Sequence, residues 1–290
     1  MKSNNPVFNR SPEFNGQATN AYGNQTYPGN GTTYPGYGQQ PYSDPSTWGT
    51  GTPGMPTQVD QGRMTIDSVV QKSAISLAVV VLLAGITWVM TPDLTSEAAA
   101  GGIYLALMVG SLGAFALSIV NSFKKVVSPA LVLAFCALEG VTLGAFSKIL
   151  DNAIAPGHGI VVQAVIGTFA AFAGTLAAYR FFDIKVGNKF RTFVTAAMFG
   201  MVALGLLEMV LLAFGTGTGV LGFGGAGLLF AIAGLALGVF MLILDFDFVE
   251  RGIAYGLPER ESWRAAFAMT VSLVWIYTNL LRILAFFNQD

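Results

Sequence analysis

Five ionisable residues stand inside or at the edge of long apolar runs: Glu139, Glu208, Asp245, Asp247 and Arg282. An ionisable group within an apolar run of bilayer length is costly to bury and marks a candidate functional site. Carboxylates are hard oxygen ligands suited to calcium. A carboxylate taken out of water also holds its proton more tightly, so a path lined by one would sense pH. The segment Leu244-Asp245-Phe246-Asp247-Phe248 puts its two acids about 200° apart on a helix, at about 100° per residue. One is therefore expected to face neighbouring helices and the other the aqueous side.

Three readings of these groups compete. Glu208 and Arg282 lie at matching depth and could form a buried ion pair that fixes helix registry, or a latch. Such a pair adds little net stability, although breaking it is damaging. Asp245 could be a helix-end carboxylate facing water. Or Asp245 or Asp247, with Glu139, lines a cation or proton path, with calcium at Asp245 as the candidate metal. At about 1.5 Å per residue, Glu139 falls near the middle of its run. Asp245 falls near the end of its own run, a few turns away in depth.

The elements that must position these residues follow from composition. Hydrophobic residues make up 53% of the 290-residue chain and charged residues 11%, and the mean hydropathy is +0.59. Soluble domains carry roughly a quarter charged residues, so the chain reads as an all-α membrane protein. About 20 largely apolar residues cross a bilayer. The runs 73–92, 98–123, 126–147, 159–179, 192 to about 214, about 220–244 and 265 to about 287 give seven spans. The long run 192–244 breaks at Gly215-Thr216-Gly217-Thr218-Gly219, and a short charged connector joins spans 6 and 7. Gly140 and Gly144, like Gly234 and Gly238, are spaced by four residues, which lets helix backbones approach closely.

Lys124 and Lys125, the group Arg180, Lys185, Lys189 and Arg191, and the group Arg251, Arg260 and Arg264 occupy alternate connectors, and Arg63 and Lys72 precede or open span 1. The other connectors hold Asp93 and Glu97, then Asp151 and His158, then no charge. The positive-inside rule places the N-terminus in the cytoplasm and the C-terminus outside. Residues 1–62 hold eight of the twelve prolines and five of the nine tyrosines. Such a segment cannot bury enough apolar surface to fold. We therefore expect a disordered Gly/Tyr/Pro-rich cytoplasmic tail over 1–62 and a transmembrane domain over 63–290.

Several functions are disfavoured. A net charge of −1 without a basic patch argues against nucleic acid as a partner. One cysteine, Cys136, and one histidine, His158, do not make zinc or haem ligand sets. No cofactor is expected, and no intramembrane hydrolase with a histidine cluster. Span 7 has no lysine for a retinal Schiff base. The chain is therefore not expected to be an enzyme.

Span 6 ending in Leu-Asp-Phe-Asp-Phe and span 7 ending in Leu280-Leu281-Arg282-Ile283-Leu284 together resemble the Bax inhibitor-1/YccA family. Ile66-Asp67-Ser68-Val69-Val70 and Leu138-Glu139-Gly140-Val141-Thr142-Leu143-Gly144 resemble an actinobacterial branch of it with a long tail. The resemblance covers roughly 63–287. It implies a seven-helix bundle with the last helix central, wrapped by the other six. It also implies a pH-sensitive calcium leak attributed to two aspartates, on helices 6 and 7, that share a proton. The helix-6 acid maps onto Asp245. The helix-7 acid has no counterpart: aligning on Tyr277 puts Asn279 there, and aligning on Arg282 puts Ser272 there. The function expected is a pH-sensitive calcium or proton leak channel of the bacterial plasma membrane, gated by buried carboxylates. The alternative is a non-conducting stress regulator or scaffold that binds a membrane protease or another membrane partner.

Overall fold

The computed structural model describes residues 62–91, 97–154 and 156–289, the side chains of 97–100 and 153 excepted. The tail expected over 1–62 lies, but for Gly62, outside the described residues, as do Asp93 and Asp290. Seven helices follow in order: α1 (Ile66–Met90), α2 (Glu97–Phe123), α3 (Pro129–Ala153), α4 (Ile160–Phe181), α5 (Asn188–Ala213), α6 (Gly225–Ala254) and α7 (Ser262–Phe287). A 3₁₀ turn, Glu259–Glu261, leads into α7. Each of the seven helices is long and apolar enough to cross a membrane, so this is a multi-pass membrane protein with the lipid bilayer as its solvent.

Local chemistry sets the helix starts. Thr65 caps α1: its hydroxyl accepts from Ser68 N, and the Ser68 hydroxyl accepts from Thr65 N, each at 3.1 Å, in a reciprocal capping box. Pro129 opens α3 at a first-turn position where no N–H is needed. The helix ends differ from those expected. α6 does not stop at its two aspartates; it runs on through Arg251 to Ala254. Side chains of that extension find basic and backbone partners, so the polar sequence there does not end the helix.

α7 is the hub. Its buried residues go round the whole circumference, from Ala265 and Thr270 through Ser272 and Ile276 to Leu281 and Ala285. It packs directly on α1, α3, α4 and α6. α2 packs on α3 and α5 on α6, so four helices, not all six, form the main wall round α7. α5 shows the opposite pattern, with only Val194 and Glu208 buried.

Glycines set the closest approaches. A methyl on Gly140 would meet Val80 O at 2.6 Å and one on Gly144 would meet Ala84 O at 2.5 Å, so α1 lies backbone to backbone against α3. Gly238 admits Ile276 of α7, and Gly234 admits Asn279. The four-residue glycine spacing is thus a packing device.

Hydrogen bonds join four chain segments at one end of this bundle. Glu259 N donates to Gly62 O at 2.6 Å and Met64 N donates to Leu257 O at 2.7 Å. Arg260 Nε donates to Val127 O at 2.8 Å, and Arg251 Nη2 to Val186 O at 2.8 Å. The entry to α1 and the α2–α3, α4–α5 and α6–α7 connectors therefore share one end, which carries most of the lysines and arginines. We call it the basic end.

Candidate ion site at the contact of α6 and α7

Asp245 lies roughly 13 Å before the end of α6, at about 1.5 Å per residue. Its Oδ2 accepts a hydrogen bond from Ser272 Oγ of α7 at 2.6 Å. The aspartate is partly buried, and its Oδ1 has no protein donor among the described residues. Leu242, Phe246, Leu273 and Ile276, all buried, belong to the apolar cluster around this contact. A carboxylate in such surroundings is stabilised only by specific donors or cations, and here the protein supplies one hydroxyl.

Asp247 has a different role. Its Oδ2 accepts from Arg191 Nη2 and its Oδ1 from Arg251 Nε, each at 2.9 Å. Arg251 also reaches Val186 O. Asp247 is 6% exposed, so the expectation that one of the two acids faces the aqueous side is corrected: Asp245 meets α7 and Asp247 is buried under two arginines. Both its oxygens are held by guanidinium groups, and it ties α6 to the start of α5. The sequence reading counted Arg191 and Arg251 only as markers of orientation. The i, i+4 spacing of Asp247 and Arg251 was the available signal for half of this clamp.

Glu139 does not join Asp245. It is partly buried on α3 and makes no hydrogen bond or ion pair among the described residues. Two rungs bracket it: Phe135 meets Phe267 edge to face at 5.0 Å between ring centroids, and Ser147 and Tyr277 share a hydrogen bond of 2.6 Å. Interpolation between them sets Glu139 within roughly one turn, about 5 Å, of the level of Ser272. The expected depth difference of a few turns is therefore too large. What separates the two acids is α7 itself. It turns Phe267 and Tyr277 towards α3, and Ser272, Ile276 and Asn279 towards α6.

Nor do Glu208 and Arg282 form the expected ion pair. Glu208 accepts from Thr218 N at 2.9 Å, Thr218 Oγ1 at 2.6 Å and Gly219 N at 2.8 Å. Arg282 Nη2 donates to Val220 O at 2.8 Å and Gly222 O at 3.3 Å. Both groups turn to the α5–α6 loop, because that glycine-rich segment offers bare N–H groups to the acid and bare carbonyls to one nitrogen of the base. Registry between α5 and α7 is thus fixed through a shared loop. His158, expected in a connector, lies in the turn before α4.

Of the two positions considered for a helix-7 acid, Ser272 is the one that touches Asp245. Asn279 donates from Nδ2 to Trp275 O at 2.7 Å within its own helix and packs on Gly234. It lies seven residues, roughly 10 Å, further along α7.

Residues 62–65 lie across the basic end of the same α6–α7 contact. Arg63 pairs in an isolated bridge with Pro258. Met64 is 2% exposed and shares the apolar cluster of Leu242, Phe246 and Leu273. Lys72 grips Glu259 at 2.7 Å, and the hydroxyls of Ser68 and Ser262 meet at 2.7 Å. The sequence reading missed this strap, since nothing in an apolar methionine announces a partner nearly two hundred residues away.

No curated protein gives a significant match to the chain. The family model described as Bax inhibitor 1 like matches residues 5–289. A seven-helix membrane bundle around its last helix, an aspartate of α6 held against α7, and a match over nearly the whole length agree: the chain belongs to the Bax inhibitor 1-like family.

Proposed function

We propose that the protein is a pH-sensitive cation leak pathway of the bacterial plasma membrane, passing calcium or protons, with Asp245 as its binding and gating carboxylate. The carrying observation is the 2.6 Å bond from Ser272 to Asp245 inside the α6–α7 contact, on a carboxylate that no arginine or lysine neutralises among the described residues. An acid left without a protein cation is neutralised either by a proton or by a mobile cation, and a site that exchanges the two is what a pH-sensitive cation path needs. Protonation removes that charge, so cation flux is expected to rise with pH. Membership of a membrane family linked to ion leak supports the reading. The crowding of basic connectors at one end supports a cytoplasmic N-terminus under the positive-inside rule.

Reconstitution in liposomes loaded with a calcium or a pH dye tests it. Wild-type protein should give flux above empty liposomes, rising from mildly acid to mildly alkaline pH, and Asp245→Asn should lower the flux and flatten its pH response. Flux equal to that of empty liposomes, or an Asp245→Asn variant indistinguishable from wild type, refutes the leak. Removal of residues 1–61 separates this reading from a tail-dependent scaffold for a membrane protease: a leak pathway keeps conducting without them.

A further inference from the structure

α2 and α5 do not close over α7, and a groove of about 290 Å³ lies between them. Phe115 of α2 and Met201 and Gly205 of α5 form its sides, and Trp275, Thr278 and Arg282 of α7 form its floor. Phe115 is 45% exposed, and the neighbouring Leu206 47%. These side chains face outward from a bundle whose surroundings are lipid, so the groove opens sideways into the bilayer. An apolar cavity of this kind holds hydrocarbon more readily than water.

Its one charged lining residue is Arg282. Only Nη2 is engaged, by Val220 O and Gly222 O. The guanidinium lies 5.7 Å from the Phe230 ring centroid. The N–H groups of Nε and Nη1 have no acceptor among the described residues. A guanidinium carries five donors in a planar fork matched to phosphate oxygens. Arg282 stands five residues before the end of α7 at Phe287, roughly 7 Å along the axis. That depth is within reach of the headgroup layer for a long side chain that extends toward the interface.

We infer that the α2–α5 groove is a binding site for one phospholipid, an acyl chain lying over Trp275 and Thr278 and the headgroup phosphate bound to the unengaged face of the Arg282 guanidinium. The occupant comes from the surrounding bilayer, and the phosphate, rather than the chain, distinguishes it from any other apolar molecule.

Native mass spectrometry of the full-length protein in detergent tests the site. The probes are phosphatidylglycerol and diacylglycerol with the same chains. The protein should retain phosphatidylglycerol well above diacylglycerol. Arg282→Gln should lower phosphatidylglycerol retention about tenfold, the effect of one lost charge-assisted hydrogen bond, and diacylglycerol retention by much less. A Cβ at Gly205 meets nothing within 4 Å, so Gly205→Phe should project into the groove and lower retention of both lipids. Equal retention of the two lipids, an Arg282→Gln variant that keeps phosphatidylglycerol, or a folded Gly205→Phe variant that binds like wild type would each overturn the assignment.

Discussion

The Asp245–Ser272 contact has one acid where the resemblance implied two. Two carboxylates at hydrogen-bond distance cannot both ionise readily and titrate as a pair, whereas an acid facing a hydroxyl titrates alone. Ser272→Asp should therefore convert a single-step pH profile of calcium flux into a two-step one in the same liposome assay. Ser272→Ala removes the one donor to Asp245 among the described residues and should destabilise the ionised site by about 1–3 kcal/mol. The check is a larger loss of thermal stability at alkaline than at acid pH. The candidate acids were legible because a charge in an apolar run stands out. Their partners were not: Ser272 is one hydroxyl among many, and which face of α7 it takes depends on four neighbouring helices. Asp247 and Glu208 were misread for a related reason. Their partners come from the same helix, a separate helix and a loop, and matching depth alone cannot choose among them.

Among the elements, the seven helices were readable from length and hydropathy. Their ends were less so, since in lipid every face of a helix is apolar and no amphipathic stripe marks where it stops. The seam between α1 and α3 is the clearest case of sequence dictating packing. Gly140→Ala and Gly144→Ala each place a methyl within 2.6 Å of an α1 carbonyl. Each should cost about 1–3 kcal/mol by forcing the helices apart. Gly85→Ala, whose methyl would meet nothing within 4 Å, should be neutral or stabilising by about 0.4–1 kcal/mol. Thermal unfolding in detergent distinguishes the three variants; equal midpoints would mean that the two backbones are not in contact.

Across the transmembrane domain as a whole, two ties of different kinds lace the ends. At the basic end the strap of residues 62–65 joins the start of α1 to the α6–α7 connector through backbone bonds and Met64. At the other end Glu208 and Arg282 grip one loop. Met64→Ala empties a buried position among Leu242, Phe246 and Leu273 and should cost about 2–5 kcal/mol, as core methionine truncations do. It should also speed limited proteolysis near residue 62, because a detached strap is open to cleavage. Unchanged proteolysis would show that the backbone bonds alone hold it. The general plan, a bundle about its last helix, followed from family resemblance and not from periodicity. The two ties were invisible to both, being contacts between segments far apart in the chain.

The central place of α7 also bears on biosynthesis. This helix leaves the ribosome after all six of the others, yet four of them have their inner faces shaped to it. Until it emerges, Ser147 and Asp245 have no Tyr277 or Ser272 to meet. Met64 likewise awaits a connector translated nearly two hundred codons later. The four helices that wall α7 lack their central partner until the seventh arrives, and its insertion completes the interior in a late assembly step.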